Sequence, residues 1–470
     1  MSAAECTAAV GGRLIAGSEN TVFTSVSIDT RTLQAGALYF AIPGPRFDGH
    51  DFVDRSLQQG AAGAVVSRDM SGPERAVLIE VPDTSRALLR LAAYHRRLWG
   101  RRLACITGSA GKTTTKEILA RLLETKYAVH KSPGNFNNIF GLSQALLGLD
   151  ASHEIAVVEI GMNTPGEIAL LATAADPDLG LLTNVVPVHL EYFPSIDAIA
   201  EAKGELIDAM KRSGTVVYNA DDHRVAELAH RFKGHKFSFG IVSDADLVAE
   251  SLESRGLEGS SFVLRNGRDF AKIRLMLPGV HNVRNFLAAA AAAMAWGVSL
   301  GEVVAAASQV RTESHRGAVL RFQDGFTVVD DSYNSNPSAM SCMLDLVRET
   351  SGYGRKILVA GEMLELGADA ERFHAEVGQM AVRSGVDLII GVRGEARSIC
   401  RGATDAGMNP AQALFFETVD AAAGELCMQL RQGDLALVKG SHGVGLESLI
   451  ARLCSCFNQM PAADSGGRTQ

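Results

Sequence analysis

The sequence lacks several features that would assign it to a class at once. No apolar run reaches the roughly 18 residues that a membrane-spanning helix needs, and the alanine-rich stretch 286–296 is too short. The formal net charge of −8 and the pI of about 5.9 argue against a nucleic-acid coat or a polybasic membrane surface. We therefore expect no nucleic-acid partner and no membrane insertion, and any phosphate chemistry must be local.

Cysteine is scarce and its spacing is not that of a zinc site. The seven cysteines are scattered, and we interpret the close pair Cys454 and Cys456 as two helix residues. Residues 1–6 lack the basic segment followed by an apolar segment that is typical of secretion signals. These absences predict a cytoplasmic location in a reducing compartment.

The stretch 103–116 carries the strongest positive signal. An apolar run ends at Ile106, a small-residue turn follows, and Lys112 and Thr113 open a segment with helical periodicity. This pattern is typical of a phosphate-binding loop, although the usual motif has glycine in place of Ile106. A glycine-rich turn without a ligand is the alternative, and packing alone explains the Lys-Thr pair poorly. The loop predicts ATP binding by Gly108, Ser109, Ala110, Gly111, Lys112, Thr113 and Thr114, with the Thr113 hydroxyl placed for Mg²⁺.

Strand and helix patterns then alternate, which predicts a mostly parallel sheet covered on both faces. Glu159 ends the apolar run 155–160 and His189 follows the run 179–186, so both are expected at the carboxyl edge where ligands bind. Either residue could instead be an ordinary polar group. Lys203 lies on a predicted helix, where a solvated lysine is the ordinary interpretation. Period-two segments at 246–250, 261–265 and 272–277 predict an antiparallel edge.

Asparagines mark two further polar positions in this region. Asn282 and Asn285 open the alanine-rich helix, where they could hold an adenine edge. A turn at 132–138 has three asparagines that suit a mixed polar site: Asn135, Asn137 and Asn138.

The first hundred residues read as a small α/β unit, with a helix at 86–102 leading into the next domain. Two polar stretches, 27–31 and 44–50, could bind a diphosphate or a nucleoside. Polar turns that cap helices would look much the same, so both interpretations stay open.

The last third begins after a polar linker at 311–317. Its strands are predicted at 326–331, 356–360, 388–390 and 435–440, which gives a doubly wound unit. No G-x-G-x-x-G loop follows its first strand, so a dinucleotide cofactor is not expected. The predicted domains are 1–98, 99–312 and 313–460, followed by a disordered tail at 461–470.

Taken together, the motifs resemble those of the Mur ligases, ATP-dependent enzymes that add amino acids to the cytoplasmic peptidoglycan precursor. The shared motifs are 107–113, Glu159, His189, Lys203, 281–285, Arg316 and Asp331. Segments 46–52, 330–337, 361–367 and 439–441 are closer to the member that attaches D-alanyl-D-alanine. Residues 314–317 read Ser-His-Arg-Gly, where some members have Pro-Gly-Arg, and we place the arginine role on Arg316.

The resemblance implies three domains, which bind a UDP-sugar peptide, ATP and the incoming amine. The substrates would be UDP-MurNAc-tripeptide and D-Ala-D-Ala, joined by a monomer through an acyl phosphate. The resemblance also implies that Lys203 is carbamylated and that two Mg²⁺ ions bind. The implied catalytic residues are Lys112, Lys203 and His189, and the metal ligands are Thr113, Glu159, His189 and Lys203. Further ATP contacts would come from Asn282, Asn285, Arg316 and Asp331. The implied substrate-binding residues are Ser27, Asp29, Thr30, Arg31, Arg46, Phe47, Asp48, Asn135, Asn137, Asn138, Tyr333, Asn334 and Asn336.

Two rival interpretations stay open at this stage. One is another ligase of the same architecture, which adds a diamino acid or extends folate with glutamate. The other is a P-loop switch or binding module without a second substrate. ATP turnover that requires both an acyl acceptor and an amine would separate the ligases from the switch.

Overall fold

The computed structural model describes residues 1–70, 76–188 and 190–460, and its strands form three sheets. The predicted α/β fold with a mostly parallel central sheet is confirmed, while the predicted tail at 461–470 lies outside the described residues. Within the described ranges, no helix has both the length and the apolar character required to span a bilayer.

The first sheet has five strands and a single antiparallel pairing. Its strands are β1 (Arg13–Ala16), β2 (Val26–Ser27), β3 (Leu38–Phe40), β4 (Gly63–Val66) and β5 (Val77–Glu80), in the order β1-β5-β4-β3-β2. The helices are α1 (Ala3–Val10), α2 (Val53–Gln58) and α3 (Thr84–Trp99). The sequence analysis omitted α1 and β1, and its helix at 86–102 was too long. Gly100 ends α3 in a left-handed cap, and Arg102 already belongs to the next strand.

The central sheet has nine strands and contains the phosphate-loop motif. Its strands are β6 (Arg102–Thr107), β7 (Val129–Lys131), β8 (Ile155–Glu159), β9 (Leu179–Leu182), β10 (Thr215–Asn219), β11 (His235–Gly240), β12 (Leu247–Ser254), β13 (Ser260–Asn266) and β14 (Asp269–Leu275). The helices are α4 (Lys112–Leu123), α5 (Ile139–Leu147), α6 (Glu167–Ala175), α7 (Ile196–Asp208), α8 (His223–Arg231), α9 (Val280–Ala295) and α10 (Leu300–Ala307). The order is β14-β13-β12-β11-β10-β9-β6-β8-β7, and β12, β13 and β14 form the predicted antiparallel edge.

Strand β6 is buried on both sides, as a central parallel strand should be. Ala104 and Ile106 pack with α4 and α9, whereas Leu103 and Cys105 pack with α5, α6 and α7. Strand β9 ends at Leu182 rather than at the predicted residue 186. The residues after it bond to the phosphate loop instead of continuing the sheet, as described below.

The third sheet has six strands and helices on both faces. Its strands are β15 (Ala318–Arg321), β16 (Thr327–Asp331), β17 (Arg355–Gly361), β18 (Leu388–Val392), β19 (Ala413–Phe416) and β20 (Asp434–Lys439), in the order β15-β16-β20-β17-β18-β19. The helices are α11 (Pro337–Glu349), α12 (Ala370–Arg383), α13 (Ala396–Asp405), α14 (Val419–Gln429) and α15 (Glu447–Cys456). The sequence analysis missed β15 and β19, the two short edge strands. Cys454 and Cys456 lie on α15 as predicted.

Candidate active site

The phosphate loop connects β6 to α4 and is fixed by the segment that follows β9. The Ser109 N–H donates to the Asn184 carbonyl and the Ala110 N–H to the Asn184 side-chain oxygen, both at 2.9 Å. Two N–H groups expected to face an anion are thus bonded within the protein. Helix α4 has no side-chain cap among the described residues, so its first-turn N–H groups are the ones that can bind phosphate.

Close packing explains why the loop needs its two glycines. A Cβ atom on Gly108 would lie 1.9 Å from the Thr183 hydroxyl oxygen, and one on Gly111 would lie 2.2 Å from the Asn285 side-chain oxygen. Both glycines also have positive φ angles, 148° and 81°. Asn285 thus packs directly against the loop.

Glu159 connects the loop to a second polar turn. The Thr113 hydroxyl donates to Glu159 Oε2 at 2.7 Å, and Asn137 Nδ2 donates to Oε1 at 2.8 Å. Glu159 is buried, with only 1% of its surface exposed. A hydroxyl and a carboxylate at the start of a phosphate-binding helix are oxygen ligands suited to Mg²⁺.

Two buried lysines lie near each other beside the phosphate loop. Lys112 Nζ donates to the Gly108 carbonyl at 2.8 Å, and burial lowers the pKa of Lys112. Lys203 on α7 is 2% exposed. Burial, and then the charge of Lys112, lower the pKa of Lys203 well below its ordinary value. The ordinary interpretation of Lys203 as a solvated helix lysine is therefore wrong.

Residues of the third sheet line the same cavity, whose volume is about 490 Å³. The Arg316 guanidinium lies 4.1 Å from the ring centroid of Tyr333, a cation–π contact. Asp331 accepts a hydrogen bond from Lys439 Nζ at 2.6 Å, and Lys439 also donates to the Asn334 carbonyl at 2.7 Å. The predicted residues that line the cavity from this side are Arg316, Asp331, Tyr333, Asn334 and Asn336.

Asn282 and Asn285 lie in the wall of this cavity at the start of α9. Asn282 Nδ2 donates to the Pro278 carbonyl at 2.8 Å, and Asn285 Nδ2 donates to Asn282 Oδ1 at 3.2 Å. These amides organise the helix start against the phosphate loop. His281 precedes them, and its Nδ1 has no hydrogen-bond partner in the part of the chain that the structure describes.

A second cavity, of about 1190 Å³, lies between the first sheet and α5. The predicted residues that line it are Ser27, Asp29, Thr30, Arg31 and Phe47, and Phe136 reaches it from the central domain. The Arg31 guanidinium donates to both oxygens of Asp29, which lowers the pKa of Asp29 to about 2. We refer to this as the first-domain cavity and to the other as the nucleotide cavity.

Several predicted substrate residues have local partners instead. Asp48 accepts hydrogen bonds from the His50 N–H at 2.9 Å and from His50 Nδ1 at 2.6 Å. Asn138 Oδ1 caps α5 by accepting from two backbone N–H groups. Neither Asp48, Asn138 nor the exposed Arg46 is among the residues that line the two cavities. Asn135 and Asn137 do line the nucleotide cavity.

One predicted site residue has not yet been placed, and several residues near the site had no predicted role. His189 lies outside the described residues. Among the residues that are described, no three histidine, cysteine or acidic side chains cluster as a metal site. Asn184, Lys439 and Lys116 received no individual role from the sequence. Lys439 opens the segment 439–441 that the resemblance already marked, whereas Asn184 and Lys116 carry no local signal.

Three family models match this chain. They are described as the Mur ligase family catalytic domain at residues 22–96, the Mur ligase middle domain at 106–293 and the Mur ligase glutamate ligase domain at 315–442.

Individual proteins match over nearly the full length. A Bacillus subtilis protein named "UDP-N-acetylmuramoyl-tripeptide--D-alanyl-D-alanine ligase" is 33% identical over 436 residues, which cover 93% of this chain and 94% of that protein. The crystal structure of MurF from Acinetobacter baumannii superposes with a TM-score of 0.88 at 29% identity, covering 97% of this chain and 98% of that one. MurF ligase from Thermotoga maritima in complex with ADP gives a TM-score of 0.80 at 28% identity, covering 91% and 96%.

Proposed function

This chain belongs to the Mur ligase family, and on that premise we propose that it joins D-alanyl-D-alanine to UDP-N-acetylmuramoyl-tripeptide at the expense of ATP. The products would be the UDP-MurNAc-pentapeptide precursor of peptidoglycan, ADP and phosphate. The observation that carries the proposal is a single cavity in which Lys112, Thr113 and Glu159 face Arg316 and Tyr333 of the third sheet.

The first chemical step overcomes the low reactivity of a carboxylate. The tripeptide carboxylate attacks the γ-phosphorus of ATP, its oxygen–phosphorus bond forms, and ADP leaves. Positioning and charge neutralisation account for most of the catalysis of such a transfer. The first-turn N–H groups of α4 and the Lys112 ammonium bind the β- and γ-phosphates. Arg316, held over Tyr333, adds positive charge from the opposite wall.

The oxygen donors of the nucleotide cavity fit Mg²⁺. The Thr113 hydroxyl and the Glu159 carboxylate would hold an ion that takes its other ligands from phosphate and water. Bound Mg²⁺ neutralises charge between two approaching anions. We infer two ions, with carbamylated Lys203 and His189 as ligands of the second.

The surroundings of Lys203 favour carbamylation. Burial lowers the pKa of Lys203 and so favours the neutral amine, which is the form that attacks carbon dioxide. The nitrogen–carbon bond forms as one carbon–oxygen π bond of carbon dioxide opens, one N–H proton goes to solvent, and the neutral amine becomes an anionic carbamate. That anion would attract Mg²⁺ and the neighbouring Lys112, both of which a lysine ammonium repels.

The second step forms the amide bond. The free amine of D-alanyl-D-alanine attacks the acyl carbon, and phosphate leaves from the tetrahedral intermediate. Tyr333, Asn334 and Asn336 would bind the dipeptide from the third sheet, while the first-domain cavity would bind the UDP end of the acceptor. Asp331 would bind the nucleotide. A wall built from two domains also excludes water from the acyl phosphate.

The proposal extends to cellular context. Its substrates are small cytoplasmic molecules, and the seven cysteines are free in the described structure, so we place the enzyme in a reducing cytoplasm. Both cavities are built by one chain, so we infer that a monomer suffices.

The test is phosphate release from ATP with Mg²⁺, the UDP-tripeptide and D-alanyl-D-alanine, with each component omitted in turn. We expect phosphate only when all are present, and a nucleotide product heavier by one dipeptide less water. ATP hydrolysis at the same rate without the amine would favour the P-loop switch. Replacement of the dipeptide by a diamino acid or glutamate tests the other ligases.

A further inference from the structure

Lys116 is a buried charge that the mechanism above does not use. It lies on α4 one turn beyond Lys112, and its side chain is 0% exposed. Lysine is almost never fully buried unless its ammonium is paired, because desolvation of the charge is costly. A lysine in this position therefore needs partners that compensate for its burial.

The two hydrogen bonds of Lys116 go to one segment, and its opposite charge lies on the neighbouring residue of α4. Its Nζ donates to the Ser132 carbonyl at 2.7 Å and to the Gly134 carbonyl, and it pairs with Glu117 Oε1 at 3.1 Å. Two of these contacts are hydrogen bonds to carbonyl groups, and the Glu117 carboxylate supplies the opposite charge. Glu117 also pairs with Lys131, the last residue of β7. The ammonium thus ties the phosphate-loop helix to residues 132–137, which we name the bridging segment.

The bridging segment faces both cavities. Asn135 and Asn137 line the nucleotide cavity, where Asn137 bonds to Glu159 at 2.8 Å. Phe136, between them in sequence, lines the first-domain cavity. A shift of this segment would move the wall of both cavities together.

We propose that Lys116 is a positioning residue that fixes the bridging segment relative to the phosphate loop, so that an acceptor spanning both cavities presents its carboxylate to ATP. The inference rests on the proposed function for the identity of the acceptor. Lys116 itself touches neither substrate, because its ammonium is enclosed by the carbonyl groups and Glu117.

The test compares Lys116→Met with Lys131→Met as a matched control. Methionine replaces the unbranched side chain with one that is shorter by a single atom and lacks donors. For Lys116→Met we expect kcat to fall about a hundredfold and KM for the UDP-tripeptide to rise, since a displacement of about 1 Å can cost that much. ADP affinity should change less than about threefold, because Lys112 and Thr113 stay in place. Lys131→Met removes a half-exposed ion pair with Glu117, keeps both carbonyl bonds of Lys116, and should stay within about threefold of wild type.

A purely structural lysine would behave differently. If Lys116 served only the fold, its replacement would lower the melting temperature and the folded fraction but leave kcat per folded molecule and KM unchanged. That result would overturn the proposal. If Lys116→Met does not fold, Gly134→Ala tests the same segment. Gly134 is exposed with φ of +48° and open space around its Cβ position, so alanine strains only the segment. We expect kcat to fall about tenfold with little change in melting temperature, and unchanged kinetics would contradict us.

Amide hydrogen exchange gives a readout that is independent of ligase activity. Lys116→Met should speed exchange in residues 132–138 and leave α4 unchanged. If wild-type protein makes no pentapeptide, the proposed function fails. The exchange result still tests whether Lys116 holds the bridging segment in place. Equal exchange in both proteins would overturn the positioning role.

Discussion

The two cavities are built in different ways. In the nucleotide cavity several polar side chains are buried and hydrogen-bonded within the protein, as Glu159 and Lys439 show at 1% and 2% exposure. In the first-domain cavity Phe47 is 73% exposed, and the Arg31 side chain is 82% exposed. The first arrangement is rigid before any ligand arrives, whereas the second consists of loop side chains that a ligand would order. We therefore expect substitutions in the nucleotide cavity to lower kcat, and those in the first-domain cavity to raise KM.

The largest effect is expected for Lys112→Met. Loss of the ammonium removes charge stabilisation from the transferred phosphoryl group, so kcat should fall by about a thousandfold. Steady-state phosphate release measures it, with the melting temperature as the control for folding. An unchanged kcat with a raised KM for ATP would show that Lys112 contributes only ground-state binding.

Arg316→Lys is expected to have the next largest effect. Lysine keeps the charge but loses the planar group that stacks on Tyr333 at 4.1 Å. We predict a fall in kcat of about a hundredfold with KM for the UDP-tripeptide unchanged. A variant as active as wild type would show that charge alone, rather than its position, matters at this wall.

Arg31→Met tests the first-domain cavity. The guanidinium is held by Asp29 and lines the cavity in which we propose that the diphosphate binds, so KM for the UDP-tripeptide should rise about tenfold while kcat stays the same. Initial rates over a range of acceptor concentrations separate the two parameters. A fall in kcat without a change in KM would contradict the division between the cavities.

The smallest predicted effect is a difference in pH dependence. Burial lowers the pKa of His281 in the nucleotide cavity from 6.5 to about 4, so the unfolded chain binds a proton first as pH falls. His281 should therefore lower the free energy of unfolding progressively as the pH falls from 6.5 to about 4. Asp29 in the first-domain cavity has its pKa lowered to about 2, so it stays ionised and keeps its contribution over the same range.

Melting temperatures of His281→Gln and Asp29→Asn at pH 7 and pH 5 test this contrast. The glutamine variant should lose less stability than wild type on acidification, by about 2 °C in a chain of this size. The asparagine variant should lose as much as wild type. An equal fall in melting temperature for wild type and His281→Gln between pH 7 and pH 5 would show that His281 is not held neutral.

The contrast also explains which parts of the site the sequence predicts. The phosphate loop is local in sequence, so its apolar strand, small-residue turn and Lys112–Thr113 pair can be recognised directly. Glu159 follows from the rule that ligands bind at the carboxyl ends of parallel strands. Both line the nucleotide cavity.

Residues whose role depends on distant partners are not predicted in this way. Asn184 bonds to the loop 74 residues earlier, and Lys439 bonds to Asp331 across 108 residues, so no local pattern reports either contact. Asp48 and Asn138 form local capping bonds, and a polar residue that caps a turn has the same local sequence as one that binds a ligand. The short strands β15 and β19 lie at sheet edges, where burial leaves a weak pattern. The roles of the site residues and the limits of the three domains stay predictions.

The most direct test of the account follows an oxygen atom. UDP-MurNAc-tripeptide labelled with ¹⁸O in the acceptor carboxylate is incubated with the protein, ATP, Mg²⁺ and D-alanyl-D-alanine, and the released phosphate is analysed by mass spectrometry. Attack of the carboxylate on the γ-phosphorus predicts one ¹⁸O atom in each phosphate released. Phosphate without the label, released alongside pentapeptide, would show that the carboxylate is not activated by phosphorylation and would contradict the account.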